Sequence, residues 1–271
     1  MKNWLNDKKI IITGASSGFG KLLTEKLITR YNCKVVGIGR NEENLKNLKE
    51  RFGNKFSYSI FDVGDENAWR EFALKLSIIN LYPDILINNA GVLPSFSRFG
   101  TVPEGEAERV FKTNFFASVY SIRHILPMIK KHSKTPAVIN ISSSAILANV
   151  VGTSIYTSTK CALASFTKIL SLENKDLYVG LICPGFSGTG IFREQKHMDE
   201  KSSAIINKNC SSPDKLTDYM LKKIIKKRKT IIPGADAKAM HVFGKLFPNF
   251  TDKFICKVLK KSKLTVFEDV F

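Results

Sequence analysis

Short apolar runs alternate along the chain with longer segments whose apolar residues recur every three or four positions. Most of the short runs are rich in Val and Ile, and all are predicted to be β-strands; they cover residues 8–14, 33–40, 55–61, 84–87, 137–142, 178–182 and 230–232. The longer segments are predicted to be helices; they cover 41–52, 103–130, 153–174 and 213–228, and the stretches after Gly20 and around Trp69. This alternation predicts an α/β fold: a single domain built on a doubly wound parallel sheet with helices on both faces.

The first predicted strand runs into Thr-Gly-Ala-Ser-Ser-Gly-Phe-Gly at 13–20, and an amphipathic helix follows. Gly14 permits a tight turn, Gly18 allows the backbone to approach a pyrophosphate, and Gly20 allows the helix to pack near the strand. The free N–H groups at the start of the helix attract phosphate, and the two serines of the loop add hydroxyl donors. The loop therefore predicts a dinucleotide site, although an ordinary strand-to-helix turn also has this form.

The second predicted strand ends in Gly39 and Arg40, where the adenosine ribose of a dinucleotide is expected. An acidic residue at this point would bond the ribose 2′-hydroxyl and repel a 2′-phosphate. The guanidinium of Arg40 instead suits that phosphate by its charge and its forked donors. We therefore predict that NADP(H) is preferred and that NAD(H) is possible. The alternative is that Arg40 is a solvated residue that opens the next helix.

Further polar groups follow other predicted strands and should face the same crevice, because ligands of doubly wound sheets bind beyond the carboxyl ends of the strands. Asp62 and Val63 could read an adenine edge there, or Asp62 could cap the next helix. Asn88-Asn89-Ala90-Gly91 permits close approach of a cofactor, although a plain turn fits too. The loop 184–189 follows a later strand and is expected at the same edge.

Tyr156 and Lys160 lie four positions apart, so on a helix both project from one face. A tyrosine phenol ordinarily loses its proton near pH ~10, and we expect the ammonium of Lys160 to lower that pKa. Ser143 follows strand 137–142, so its hydroxyl can bond the same substrate oxygen as the phenol. Such a trio transfers protons to and from an alcohol or carbonyl oxygen. Taken alone, the spacing also fits a half-buried ring beside a solvated lysine.

Composition narrows the class of protein. The 271 residues are 44% hydrophobic, which is enough for one substantial core.

Because we find neither an apolar leader nor an apolar stretch long enough to cross a bilayer, we expect a soluble, cytoplasmic protein. The five cysteines are odd in number and lack a Cys-x-x-Cys pair, which favours free thiols in a reducing compartment. The four histidines have no metal-ligand spacing, so no metal is expected.

The formal net charge is +18, from 42 Lys and Arg against 24 Asp and Glu. Residues 201–271 hold sixteen of the cations and six of the anions. Such a charge can steer anionic partners. No recognised nucleic-acid-binding motif is present, so nucleic acid is not predicted as a partner. A lysine-rich surface around an anionic cofactor is the preferred interpretation.

In their order along the chain, these motifs resemble the short-chain dehydrogenase/reductase family over about residues 8–190. They are Thr-Gly-x-x-x-Gly-x-Gly at 13–20, Asn-Asn-Ala-Gly at 88–91, Asn114, Ser143, Tyr-x-x-x-Lys at 156–160 and Pro-Gly at 184–185. The resemblance implies a Rossmann-type fold and hydride transfer between NADP(H) and a small-molecule secondary alcohol, ketone or aldehyde. It also implies a homo-oligomer.

The resemblance implies a role for each of several residues. Tyr156 would be the general acid/base, Lys160 would hold the nicotinamide ribose, and Ser143 would orient the substrate oxygen. Asn114 would hold a water of a proton relay toward Lys160, and Thr189 would fix the nicotinamide carboxamide. The predicted catalytic set is Asn114, Ser143, Tyr156 and Lys160. The predicted cofactor-binding set is Gly14, Ser16, Ser17, Gly18, Phe19, Gly20, Arg40, Asp62, Val63, Asn89, Tyr156, Lys160 and Thr189.

Two later segments lie beyond the resemblance. Residues 190–210 are interpreted either as a mobile substrate lid with an apolar lining, which favours a steroid- or lipid-like substrate, or as a surface helix with a core face. Residues 234–271 form a basic amphipathic extension. Its apolar residues recur at helical spacing among lysines: Phe250, Phe254, Ile255, Val258 and Leu259. We expect it to dock on the domain or on a partner subunit rather than lie on an anionic membrane.

The alternative function is a catalytically silent nucleotide-binding protein that acts as a regulator or scaffold. Loss of Tyr156 or Lys160 would favour that interpretation, and both residues are present. The preferred prediction is therefore an enzyme.

Overall fold

Seven parallel strands form one sheet in the computed structural model of the chain, which describes residues 3–271. The strands are β1 (Lys9–Thr13), β2 (Lys34–Gly39), β3 (Phe56–Ile60), β4 (Ile85–Asn88), β5 (Ala137–Ile141), β6 (Tyr178–Ile182) and β7 (Thr230–Ile231). Their order across the sheet is β3-β2-β1-β4-β5-β6-β7. The chain starts in the middle of the sheet and winds first to one edge and then to the other, which is the doubly wound topology of a Rossmann-type fold. The predicted fold class is confirmed.

Helices connect the strands and extend beyond the last one. They are α1 (Gly18–Tyr31), α2 (Glu42–Phe52), α3 (Glu66–Ile78), α4 (Glu106–Phe111), α5 (Ala117–His132), α6 (Ser154–Glu173), α7 (Glu200–Asn209), α8 (Pro213–Ile225), α9 (Ala235–Leu246) and α10 (Pro248–Ser262). Where the sequence predicted an element by its bounds, the structure places each end within three residues of the prediction.

Each face of the sheet is covered by its own apolar layer. On one face, α1, α2 and α8 contribute Leu23, Leu27, Leu45, Leu216 and Met220. On the other face, α3, α5 and α6 contribute Trp69, Phe72, Ile125, Ile129 and Leu170. Because both faces are buried, the inner strands appear in the sequence as nearly continuous apolar runs rather than as alternating patterns.

The predicted helix 103–130 has an interruption that the sequence did not reveal. A π-helical segment, Lys112–Phe116, lies between α4 and α5. Such segments disturb the regular hydrogen-bond ladder and often occur at functional sites. Apolar residues continue at helical spacing on both sides, so periodicity alone predicts one uninterrupted helix. The buried Asn114 lies inside this segment.

A row of buried hydrogen bonds crosses the sheet layer near the carboxyl ends of β4 and β5. Ser121 on α5 donates to Asn88 Oδ1 at 2.7 Å, and Asn88 Nδ2 donates to Asn140 Oδ1 at 2.9 Å. Asn140 Nδ2 in turn donates to Thr167 Oγ1 on α6 at 2.8 Å. The row fixes two strand ends relative to two helices, and each of its buried amides has a partner.

The chain after β7 docks on the domain only in part. Thr251 on α10 is buried, and Ile255 and Leu259 are half-buried. Phe250, Phe254 and Val258 on the same helix are exposed. One side of α10 therefore docks on the domain as expected, and the other side does not.

The segment 264–271 returns to the domain beside residues 93–96, which follow β4. Val266, Phe267 and Val270 are buried in an apolar cluster with Leu93 and Phe96. The Phe96 and Phe267 ring centres lie 4.8 Å apart. A segment from the far end of the sequence thus becomes part of the wall next to the strand ends.

Three whole-chain features bear on the predictions from composition. Within residues 3–271, no helix combines the length and the apolar character needed to cross a bilayer. The same residues contain no group of three or more His, Cys, Asp or Glu side chains that could hold a metal. All five cysteines are unpaired, as the sequence predicted.

Asn140→Ala should lower the free energy of unfolding by about 2–4 kcal/mol, because the Asn88 amide and the Thr167 hydroxyl each lose a buried partner. Urea denaturation followed by circular dichroism measures this change. Asn47→Ala, at an exposed position on α2, is the matched control and should change stability by no more than ~0.5 kcal/mol. An Asn140 variant as stable as the control would contradict the assigned role of the buried row.

Candidate active site

A cleft of about 300 Å³ opens at the carboxyl ends of the strands. The structure brings nearly all of the predicted site residues to its walls: Gly14, Ser16, Ser17, Gly18, Phe19, Arg40, Asp62, Val63, Asn89, Ser143, Tyr156, Lys160 and Thr189. Gly20 and Asn114 are not among the lining residues, and each contacts residues that are. Side chains from seven separate parts of the sequence therefore face one space.

The glycines of loop 13–20 set its close approach to the sheet. Gly14 has a φ of +67°, which favours glycine. A Cβ at Gly20 would lie 2.1 Å from the carbonyl oxygen of Gly14, so a side chain there would force the backbone apart. Ser17 precedes α1 in an extended conformation and makes no side-chain cap. The first N–H groups of α1 therefore remain available to an anion at the cleft.

Asn89 supports this loop from β4. Its backbone N–H donates to Thr13 Oγ1 at 2.9 Å, and its side-chain amide donates to Thr13 O at 2.9 Å. The loop that carries Thr189 packs from the other side, because a Cβ on Gly18 would lie 3.3 Å from the Thr189 Cβ. The glycine-rich loop is thus held between two later loops.

Arg40 lies at the end of β2, where its exposed side chain borders the cleft. The next residue, Asn41, is the N-cap of α2, since its Oδ1 accepts from Asn44 N at 2.8 Å. The cap function is therefore filled without Arg40, and the guanidinium is available at the rim of the cleft.

Asp62 borders the cleft next to Val63. Its Oδ1 accepts from Gly64 N at 2.9 Å. The N-cap of α3 is instead Asp65, which accepts from the backbone N–H groups of Asn67 and Ala68. The alternative that Asp62 caps the next helix is therefore wrong, because a second aspartate three residues later is better placed.

Tyr156 lies in the first turn of α6, with 8% of its surface exposed. Burial raises the pKa of the Tyr156 phenol above its usual value, and a hydrogen bond with the Ser143 hydroxyl partly opposes this shift. The net shift is therefore upward, against the expectation of a lowered pKa, because removal of the phenol from water is the dominant effect. The phenol is therefore protonated at neutral pH. Ser143 is held in place by Ala145 N, which donates to its Oγ at 3.1 Å.

Lys160, a predicted site residue, has a buried ammonium that no carboxylate among residues 3–271 pairs with. Its surface is 3% exposed, and its Nζ donates to Ile141 O at 3.2 Å. Among residues 3–271, no carboxylate acts on it closely enough to offset the loss of water, so burial lowers the pKa of Lys160 to about 8. Nζ also lies 5.8 Å from the centre of the Tyr156 ring. A buried cation of this kind fits a hydroxyl-rich or anionic ligand.

Asn114 braces the backbone around Lys160. Its Oδ1 accepts from Val92 N at 2.8 Å, and its Nδ2 donates to Val92 O at 2.9 Å and to Thr159 Oγ1 at 3.1 Å. A Cβ on Gly91 would lie 3.1 Å from Lys160 Nζ and 3.3 Å from Asn114 Oδ1. Glycine at this position therefore leaves the room in which both side chains sit.

The far end of the cleft is apolar. Leu93, Phe96, Val150, Ile191 and Phe192 line it beside Tyr156. Phe186 stacks on Phe192 with the ring centres 6.4 Å apart. The sequence signalled the apolar character of residues 190–210, but it gave no sign that residues 93–96 would face them.

Gln195 is a buried residue of this region that the sequence analysis missed. Phe96 N donates to its Oε1 at 3.0 Å, and its Nε2 donates to Pro94 O at 2.9 Å. Glu194 adds an ion pair with Arg109 at 2.8 Å. These bonds join residues 190–196 to the opposite wall of the cleft. A lone glutamine has no local sequence pattern that could have predicted this role.

Comparisons with known proteins agree with this arrangement. The family model of the short chain dehydrogenases matches residues 8–200. An uncharacterized oxidoreductase of Bacillus subtilis, YxnA, is 30% identical over 267 residues, which span 96% of this chain and 74% of that protein.

Solved structures show the same fold. A short-chain dehydrogenase/reductase from Burkholderia phymatum in complex with NAD superimposes with a TM-score of 0.80 at 20% identity, covering 89% of this chain and 94% of that one. The closed form of a serine dehydrogenase complexed with NADP+ gives a TM-score of 0.74 at 25% identity, with 83% and 93% coverage. The family model matches most of the sequence, and the chain belongs to the short-chain dehydrogenase/reductase family of oxidoreductases.

Proposed function

We propose that the protein is an NADP(H)-dependent oxidoreductase that interconverts an apolar secondary alcohol and the corresponding ketone, or an aldehyde and its alcohol. The observation that carries the proposal is the grouping of the Tyr156 phenol, the Ser143 hydroxyl and the buried Lys160 ammonium on one wall of the cleft. An acid, a hydrogen-bond donor and a cation in this arrangement suit proton transfer at a substrate oxygen.

The donor set of the cleft fits a nicotinamide dinucleotide. The uncapped start of α1 and the loop 13–20 suit the pyrophosphate, since a Cβ at Gly14 or Gly20 would fill the close approach that the backbone makes there. Lys160, buried with no carboxylate partner among residues 3–271, suits the hydroxyls of the nicotinamide ribose. Thr189 also lines the cleft and would bond the carboxamide, and Asp62 and Val63 line it and would contact the adenine.

Each residue of the catalytic set has a separate task in carbonyl reduction. The cofactor, when bound, supplies the hydride that the carbonyl carbon accepts. Tyr156 donates its phenolic proton to the substrate oxygen, and Ser143 holds that oxygen by a hydrogen bond. The raised pKa of Tyr156 keeps the phenol in the acid form that this step requires. Lys160 stabilises the resulting phenolate by its charge. Alcohol oxidation is the reverse sequence.

The main role of Asn114 in this proposal is to hold the neighbouring chain segments in place. Its two amide N–H groups and one acceptor site are already bonded to Val92 and Thr159. A water of the proton relay toward Lys160 therefore has the remaining lone pair of Oδ1 or the backbone of the π-helical segment as its partner.

The preference for NADP(H) rests on Arg40. Its exposed guanidinium borders the cleft, and the strand end carries no acidic residue that would repel a 2′-phosphate. The serine dehydrogenase relative in structure binds NADP+, whereas the Burkholderia phymatum structure holds NAD. The family thus accommodates both dinucleotides, and NAD(H) is the weaker cofactor in this proposal.

The apolar wall supports a hydrophobic substrate. Leu93, Phe96, Ile191 and Phe192 surround the space beside the Tyr156 phenol, so a steroid- or lipid-like carbonyl compound would bury its hydrocarbon there. Residues 190–210 form the lid over this space, held against the opposite wall by the bonds of Gln195 and Glu194. Opening of the lid requires those few bonds to break.

The proposal also includes a cellular location and an oligomeric state. A cytoplasmic location agrees with five unpaired cysteines, since reduced thiols persist in that compartment. Assembly into a homo-oligomer follows from the family resemblance and stays a prediction, which light scattering of the purified chain decides.

Tyr156→Phe should reduce turnover by about 10²–10⁴-fold, because it removes the proton donor and little else from a buried site. NADPH absorbance with a panel of steroid, fatty-acyl-like and small ketones measures turnover, and fluorescence titration should give an NADPH Kd within about threefold of wild type. Tyr58→Phe, on β3 and outside the residues that line the cleft, is the control and should keep full activity. Retained activity in the Tyr156 variant would refute the assigned role.

Arg40→Ala should lower the ratio of kcat/KM for NADPH to that for NADH by about 10–100-fold, because one charge-assisted bond to the 2′-phosphate is lost. Arg70→Ala on α3, an exposed position outside the cleft, should leave the ratio unchanged. A wild-type enzyme that prefers NADH would overturn the cofactor assignment.

Lys160→Met should change the pH dependence of stability. The pKa of Lys160 is about 8 in the folded chain and near 10.5 for an ordinary lysine, so between these values the unfolded chain binds more protons and stability rises with pH. Wild type should therefore gain about 3 kcal/mol relative to the methionine variant as pH increases through this window.

Urea denaturation at a series of pH values measures the difference between the two proteins. Lys168→Met, an exposed position on the same helix, is the control and should track wild type at every pH. If the difference in the free energy of unfolding between wild type and the Lys160 variant stayed the same at every pH, burial of the ammonium would carry no free-energy penalty.

A further inference from the structure

The two helices after β7 pack against each other, and the inner side of the pair packs on the domain. We use the name cationic hairpin for residues 235–263, which comprise α9, α10 and the turn between them. Gly244 contacts the backbone at Leu147, where a Cβ would lie 2.0 Å from the carbonyl oxygen. Met240 and Leu259 join the apolar cluster that contains Tyr156. The inner side of the hairpin thus has a partner within the domain.

The outer side carries seven exposed apolar residues. They are 48–68% exposed: Val242, Phe243, Leu246, Phe247, Phe250, Phe254 and Val258. Phe250, Phe254 and Val258 follow one another at intervals of four along α10, so they form one stripe. The Phe250 and Phe254 rings stack with their centres 6.2 Å apart. Contiguous exposed aromatic residues of this kind indicate a surface that has a partner.

The charges of the hairpin divide between its two sides. The segment 235–263 holds seven lysines and two aspartates. Asp236 accepts a hydrogen bond from Phe186 N at 2.7 Å, and Asp252 accepts from Asn149 N at 2.9 Å, so both carboxylates are engaged with the domain. The hairpin therefore presents lysines without accompanying carboxylates toward its exposed apolar residues.

Lysines and apolar residues alternate in a fixed register on α10. Each residue of the stripe is followed three positions later by a lysine, namely Lys253, Lys257 and Lys261. Residues three apart are neighbours on a helix surface. A lysine so placed can extend its ammonium past the apolar side chain toward negative charge while its hydrocarbon stem covers the ring.

We propose that the cationic hairpin docks the protein on an anionic lipid membrane. The phenylalanine rings enter the region between headgroups and acyl chains, and the lysines pair with lipid phosphates and carboxylates. A second copy of the chain is a poorer partner for the same surface, since two such surfaces would bring their lysines together without acidic residues to pair them. The inner side of the hairpin contacts the apolar cluster at Tyr156, so docking holds that cluster close to the bilayer.

The test is co-sedimentation of the full chain with vesicles of phosphatidylcholine containing a quarter phosphatidylglycerol, compared with vesicles of phosphatidylcholine alone. Wild type should bind the anionic vesicles and release them as salt increases. Phe250→Ser with Phe254→Ser should weaken binding at least about tenfold through lost apolar contact. Lys253→Gln with Lys257→Gln and Lys261→Gln should weaken it roughly 100-fold, at about fivefold per lysine.

Matched controls separate the hairpin from general surface properties. Ile78→Ser with Leu172→Ser removes two other exposed apolar residues, and Lys46→Gln with Lys75→Gln and Lys134→Gln removes three exposed lysines elsewhere. Both controls should bind as wild type does. Turnover of a water-soluble ketone should be the same in the hairpin variants and wild type, so the result does not depend on the proposed enzymatic function.

Several outcomes would overturn the proposal. They are absence of binding to anionic vesicles, equal binding to neutral ones, and hairpin variants that bind as well as wild type. Light scattering that shows wild type as an oligomer and the phenylalanine variant as a monomer, without vesicle binding, would assign the surface to a second copy of the chain. Loss of binding to single-stranded nucleic acid in the hairpin variants, again without vesicle binding, would assign it to that partner.

Discussion

The buried ammonium of Lys160 is the constraint on which the rest of the site depends. A charge withdrawn from water without a counter-ion destabilises the fold, and the chain tolerates it because the surrounding groups are fixed. Ile141 O accepts from Nζ, and Ser142 Oγ donates to the carbonyl of Lys160 itself. The glycine at 91 leaves the space that the ammonium occupies. The result is a buried ammonium that can still accept hydrogen-bonding partners from a ligand. Such a ligand would recover, as binding free energy, part of the stability that burial of the charge costs the fold.

The fold was largely predictable from the sequence, because most strands are β-branched runs of the length that a doubly buried sheet requires. The ends of those strands predicted most of the cleft for the same reason: parallel strands deliver their carboxyl ends to one edge. Gly14, Arg40 and Tyr156 could thus be placed together although more than one hundred positions separate the first from the last. Features that depend on a local pattern of residues could therefore be predicted from the sequence.

The features that could not be predicted depend on contacts between segments that are distant in the sequence. Such contacts leave no local pattern of residues. The choice between Asp62 and Asp65 as a helix cap depends on where α3 begins. Asn114, in the π-helical segment, bonds Val92 and Thr159, which are distant in sequence. The shift in the pKa of Tyr156 has its sign decided by burial, which spacing along a helix cannot measure. Gln195 joins two walls of the cleft through backbone atoms whose proximity exists only in the folded chain.

The segment 264–271 has a consequence for how the protein comes into being. Its residues Val266, Phe267 and Val270 complete the apolar wall beside Tyr156. During synthesis, the dinucleotide half can assemble while the ribosome is still translating the remainder, since N-terminal units fold first. The apolar wall beside Tyr156 cannot be completed until these late residues have left the exit tunnel. A nascent chain can therefore pair its first strands well before this wall exists.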